Sequence, residues 1–191
     1  MKLRIALLLA ALCLAAGSAS AQSIGIYWDT SAATCNGNTA PFSPGTMYVL
    51  GIRGGAASGG LTGAELRVDN FPVSTWFPSA VANPSANVAI GSLLGTGANI
   101  AFASCQTGTA NVILLYTVSY FATDVQSNRI LSVLRHSAPS NPNFQCPLMV
   151  LCDAPVFTKV CVTGSQGIIN GPPCTVAVET TSWSAVKNLF N

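Results

Sequence analysis

Hydrophobic and polar residues alternate along much of this chain with a period of two. The alternation is cleanest over residues 61–69, where Ala64, Leu66 and Val68 fall on one face and Glu65, Arg67 and Asp69 on the other. That period marks a strand with one face buried and one in water. The charged face reads as a solvated ladder rather than a catalytic carboxylate pair. Over residues 112–122 both faces are apolar at the start, which predicts a central strand covered on both sides. Residues 23–28, 46–53, 88–90, 99–103, 129–136, 155–162 and 174–180 read as further strands, with Ile168 and Ile169 as a short one.

Glycine, proline and asparagine punctuate these strands. Residues 30–44 form a loop carrying Cys35, Asn36, Gly37, Pro41 and Pro44, and residues 54–60 form a glycine-rich link too flexible for regular structure. Residues 70–86 form a proline-bounded loop that holds Trp76 and Phe77, and Asn170-Gly171-Pro172-Pro173 is a strong turn. The tail changes period. Trp183, Val186, Leu189 and Phe190 share one helical stripe, and Thr181 or Ser182 can cap it. With no alternation of long helices and strands, a parallel βαβ architecture is excluded. The expectation is an all-β fold: a single antiparallel β-sandwich with a short C-terminal helix.

The first residues alter the composition that matters. Lys2 and Arg4 precede an apolar run and an Ala-x-Ala ending at Ala21, which is the pattern of a secretory signal. The run is too short to span a bilayer, which takes about 20 residues. Cleavage after Ala21 takes 21 of the 191 residues and leaves 170, starting at Gln22. The expected organisation is therefore a signal peptide at 1–21 and one sandwich domain at 22–191. Lys2 and Arg4 leave with the signal, so the precursor's net +2 becomes near neutrality. No basic patch remains to hold phosphates, and nucleic acid is not an expected partner. Charged residues make up 7% of the chain, against about 25% in ordinary globular proteins. Uncharged polar residues take their place, as suits secreted β-structure.

Export also fixes the chemistry of the cysteines. Six remain after cleavage: Cys35, Cys105, Cys146, Cys152, Cys161 and Cys174. An even count in an oxidising compartment reads as disulfides, with 15 possible pairings. Sequence proximity favours Cys146–Cys152, and Cys161–Cys174 across the 170–173 turn. Cys35–Cys105 then follows by elimination. The proline-rich stretch 141–164, which holds three of the six, reads as a structural clasp. Its spacings do not match the paired Cys-x2-Cys knuckles of a zinc site, and no calcium loop is present.

Catalytic groups are sparse. His136 is the one histidine, no Gly-x-Ser-x-Gly elbow exists, and Gly95-Thr96-Gly97 is a turn rather than a nucleotide loop. A glycosidase pair would have to come from the few acids, with Glu65 or Asp69 the nearest choice. No metal ligand set and no cofactor are expected. The aromatics are what remains. Trp28 and Trp183 read as core residues, whereas Trp76 and Phe77 sit where exposure is easier and are the candidate binding residues.

Tyr48-Val49-Leu50, followed by Leu61-Thr62-Gly63-Ala64-Glu65-Leu66-Arg67-Val68, resembles the opening strands of cohesin-like, immunoglobulin-like β-sandwiches over about the first third of the chain. The stretches Asn141-Pro142-Asn143-Phe144 and Cys146-Pro147-Leu148, with the segment from Trp183 to Leu189, resemble a family of uncharacterised secreted bacterial proteins. The resemblance implies a sandwich fold and carries no catalytic residues. The expected function is that of an exported, non-enzymatic binding or surface-associated module with a protein or glycan partner. A carbohydrate-binding module using the loop aromatics is the alternative, and a glycoside hydrolase the more distant one. The binding surface is expected on the loops 54–60 and 70–86.

Overall fold

The computed structural model describes residues 22–173. Among them are β1 (Ser23–Tyr27), β2 (Asn36–Gly37), β3 (Ser43–Ile52), β4 (Leu61–Asp69), β5 (Phe77–Ala82), β6 (Ala86–Ser92) and β7 (Gly97–Gln106). They are followed by β8 (Val112–Ala122), β9 (Arg129–Leu134), β10 (Leu148–Leu151), β11 (Lys159–Cys161), β12 (Thr163–Gly164) and β13 (Gln166–Ile169). The strands form two sheets. One has the order β12-β1-β3-β8-β5. In the other, β4 is the hub: β7 and then β6 lie on one side, while β10–β11 and β9–β13–β2 share its other side. Pairing is antiparallel except for the short contacts of β1 with β12 and of β2 with β13.

The inward faces carry the alternating apolar residues. Ala64, Leu66 and Val68 are buried, together with Ile24, Ile26, Met47, Val49, Ile100, Leu115 and Val118 between the sheets. The start of β8 is covered on both sides, as its two apolar faces require. Its outer residues Val112 and Leu114 join a second, smaller cluster with Tyr27, Leu50, Ala32 and Cys35. The loop after β1 reaches that cluster because Asp29 organises it. Its carboxylate accepts N–H bonds from Ser31, Ala33 and Thr34 and the Ser31 hydroxyl. Burial works against the charged form of Asp29, but these bonds outweigh it and hold the carboxyl at about 2.

Three sequence expectations are corrected. Residues 54–60 are ordered as a 3-10 turn over Gly55–Gly59, whose Ala57 is buried in the core. The Ala57 N–H donates to Gly54 O and to Gln22 Oε1. Within 70–86 lies β5, which pairs with β8 as an edge strand. An edge position tolerates Pro78, which lacks an N–H, so the proline did not exclude a strand. Of residues 155–162 only Lys159–Cys161 pair, because Asp153 turns the preceding segment back on itself. The expected strand 174–180 and the C-terminal helix lie outside the described residues.

The disulfide pairing is also corrected. Cys105 joins Cys152 and Cys146 joins Cys161, each with Cα atoms 5.6 Å apart. Cys35 is disulfide-bonded as well. Cys146–Cys152, Cys161–Cys174 and Cys35–Cys105 are thereby excluded. Sheet register, not sequence distance, decides the outcome. Leu148 pairs with Cys161, which brings Cys146 beside that residue. Leu151 and Gln106 both pair with Leu61, which brings Cys152 to Cys105 across β4. Gly60, at φ +112°, lies over this second bridge, where a Cβ would meet Cys105 Sγ at 2.8 Å and Cys152 Sγ at 3.2 Å. Both bridges suit an oxidising compartment. No helix among the described residues is long and apolar enough to cross a membrane.

Candidate functional site

Side chains directly opposite one another on neighbouring strands share a sheet face. Register therefore builds the outer surface of the larger sheet row by row. One row runs across five strands as Val88–Ala101–Gly63–Val150–Lys159. The next runs Ile90–Asn99–Glu65–Leu148–Cys161. Five strands at roughly 4.8 Å spacing span about 19 Å. The centre of the first row has no side chain, because Gly63 lies so close to β7 that a Cβ would sit 2.8 Å from Ile100 O. With Ala101 beside it, the row dips in the middle. The result is an apolar groove of about 480 Å³, flanked by Val88 and Ile90 on one side and Val150, Phe157 and Lys159 on the other.

Phe157 is held at the margin under strain. It has φ +52°, in the left-handed region, and is 47% exposed. A bulky residue in that region costs of order 1–3 kcal/mol, and such residues cluster at functional sites. The loop that holds it is organised by Asp153. The Asp153 carbonyl accepts the Val156 and Phe157 N–H groups, and its carboxylate accepts the Thr158 N–H and hydroxyl. The Thr158 hydroxyl and amide hold the Asp153 carboxyl below the usual carboxylate range.

Glu65 does not sit on a solvated ladder. It is 6% exposed, covered by the segment between β9 and β10, and both its oxygens accept the Ser140 N–H at 3.1 Å. The segment is fixed at one end by Ser137, whose N–H and hydroxyl donate to Thr96 O, and at the other by Cys146–Cys161. Glu65 thus works as a tether for a strap over the groove's second row. Glu65→Ala is expected to lower stability by about 1.5–3 kcal/mol, the usual loss for bonds to a charged group. It should also speed amide exchange at Ser140. Glu65→Gln, which keeps an acceptor, should do much less. Denaturant midpoints with exchange mass spectrometry read both effects.

The other residues singled out in the sequence are dispersed. Trp76 is 1% exposed, so the accessible ring expected of it is corrected. Its indole N–H donates to the Asp124 carboxylate at 2.6 Å, its ring stacks on Tyr120 at 4.9 Å, and Phe71 meets it edge-on. Phe77, next in sequence, points the other way and is 72% exposed on the outer face of the smaller sheet, opposite Phe121. Trp76 closes the turn before β5 and Phe77 opens the strand, and the two consecutive side chains point to opposite faces. Asp69 is paired with Arg67 at 3.5 Å and half exposed, whereas Glu65 is under the strap, so the two carboxylates sit in different surroundings. His136 packs its ring against Gly97, and its Nδ1 accepts the Ala138 N–H. Among the described residues no cluster of three or more His, Cys, Asp or Glu could hold a metal.

No family model matches the chain, and no curated protein matches it. Solved structures do. A cohesin module from a Clostridium perfringens family 33 glycoside hydrolase superposes with a TM-score of 0.53 at 9% identity, over 80% of this chain and 98% of that one. The sandwich is cohesin-like. Two further matches are the sixth cohesin of Acetivibrio cellulolyticus scaffoldin B, solved in complex with a Cel5 dockerin (TM-score 0.48, 15% identity, 80% of this chain and 100% of that one), and a type III cohesin of the Ruminococcus flavefaciens ScaE scaffoldin (0.45, 16%, 81% and 89%). At these identities the likeness is one of fold. The resemblance of residues 48–50 and 61–68 to cohesin-like strands agrees with it: they form β3 and β4 of the cohesin-like sandwich. The groove was not found in the sequence. Its signal was there in Val88 and Ile90, two apolar residues on one face of a strand whose opposite face is also uncharged.

Proposed function

We propose that the chain is an exported, non-enzymatic module that binds a protein partner in the groove across β6, β7, β4, β10 and β11. The signal pattern, with cleavage near Ala21, and the disulfides support export. One observation carries the binding reading: the first row of outer residues forms an apolar trough with a glycine floor, bordered by the strap over the second row and by a strained, exposed phenylalanine at its margin. Exposed contiguous apolar surface of this kind marks interaction sites. The five strands span about 19 Å with the walls included, and an α-helix is about 10–12 Å across with its side chains, so one helix at most can lie along the trough. The expected partner therefore presents an amphipathic helix, its apolar face toward Val88, Ala101 and Val150 and an acidic group toward Lys159.

The test is capture from culture supernatant on the immobilised mature protein, followed by rebinding of the purified partner. Ala101→Arg places a charge in the trough and is expected to weaken binding at least 30-fold, roughly the effect of losing a hot-spot contact. Phe77→Arg, on the other sheet, should leave binding unchanged. Equal loss in both variants, or loss in neither, would remove the groove from consideration. Phe77 and Phe121 favour a second reading, in which their exposed rings stack on a glycan. Glycan-array binding abolished by Phe77→Ala, with Ala101→Arg silent, would select that reading.

A further inference from the structure

From Asn70 to Thr123 the sequence holds no Asp, Glu, Lys, Arg or His. The fold gathers this stretch on one flank. Among the described residues it contains β5, the edge of the smaller sheet, and β6, the edge of the larger one, joined by the short turn after Ala82. Open edges present unpaired N–H and C=O groups and are normally guarded by charges, prolines or bulges. The edge of β5 is guarded by Pro78. In β6 the irregularity lies at its start, between Ala86 and Val88, and Val88 to Ser92 run in unbroken register with β7. Val88 and Ile90 are 46% and 60% exposed. Between the two edges the flank opens to a cleft of about 470 Å³ lined by Pro78, Ala80, Leu93 and Tyr116, again without charge.

We infer that β6 is a self-association edge, pairing antiparallel with β6 of a second copy about a two-fold axis through Ala89. In that register Val88 of each copy faces Ile90 of the other, and Asn87 faces Gly91. The sequence is self-complementary, as an isologous contact requires. Charge argues for the same occupant. An ordinary protein surface would strand its charged side chains against this flank, whereas a second copy meets it with none. The described residues end on the far side of the same sheet. Gly171 and Pro172 accept the Asn36 amide on β2, at the border of the sheet opposite β6. Pairing would join two larger sheets into one continuous sheet, with two grooves side by side on one face.

The test uses the isolated mature protein without a partner, so its outcome does not depend on what fills the groove. Sedimentation velocity over a concentration series should show a monomer–dimer equilibrium for the native sequence. The double variant V88K/I90K sets an ammonium group on one copy against an ammonium group on the other at both facing pairs, and only monomer is expected. Both positions are exposed, and thermal melts would verify the fold. Val81→Lys, on the β5 edge, should leave the equilibrium intact. Exchange protection of the β6 amides should rise with concentration in the native protein and not in V88K/I90K. A native protein that stays monomeric at the highest concentration, a dimer unaffected by V88K/I90K, or a dimer lost in Val81→Lys alone would each overturn the inference. So would β6 amides protected at every concentration in a monomer, which would show that the chain covers its own edge.

Discussion

Trp76→Ala is expected to destabilise the protein by about 3–5 kcal/mol, the range for deleting a large buried aromatic side chain. The ring fills the core between Phe71 and Tyr120, and its N–H is the bond that takes Asp124. Removing it leaves a cavity and costs the carboxylate a donor. The neighbouring Phe77→Ala should change stability by no more than about 0.5 kcal/mol, since the ring is exposed. Urea denaturation followed by circular dichroism separates the two. Trp76→Phe should fall between them, restoring volume without the hydrogen bond. If Trp76→Ala and Phe77→Ala had equal effects, the assignment of one to the core and one to the surface would be wrong.

The second large effect concerns the disulfides. Cys105–Cys152 closes a sequence separation of 47 and Cys146–Cys161 one of 15. Loop entropy assigns about 4 kcal/mol to the first and about 3 kcal/mol to the second. The double variant C105S/C152S is expected to lose more stability than C146S/C161S, read as denaturant midpoints under non-reducing conditions. A non-reducing peptide map should recover both linkages. A fragment linking Cys146 to Cys152 would overturn the arrangement.

Much of the architecture is legible in the residues themselves. The period-two pattern at Ala64, Leu66 and Val68 places β4 correctly, and the doubly apolar start of β8 announces a covered central strand. What is lost is lost for definite reasons. Pro78 disguises β5, because a proline excludes a strand only where its N–H would be needed. Trp76 and Phe77 look alike in a loop and become opposites once β5 exists, since the two consecutive side chains point to opposite faces. Disulfide partners depend on which strands lie side by side, and spacing along the chain cannot rank a register. Glu65 belongs to an exposed face by its period and is nonetheless buried, because a strap from elsewhere in the sequence lies over it. The groove, too, is a property of rows across five strands, visible only when their registers are combined.

The two bridges act together on one wall. Cys146–Cys161 ties together the open end of the β10–β11 hairpin, and Cys105–Cys152 ties the other end of β10 to the end of β7. The hairpin that flanks the groove is thereby held covalently at both ends of β10. A wall fixed in this way has little freedom left to lose when a ligand arrives, and ordering loosely held surface is one of the main costs of association. For the proposed partner in the groove, mild reduction should consequently weaken binding before it unfolds the sandwich, with the loss appearing as an unfavourable entropy of binding in calorimetry.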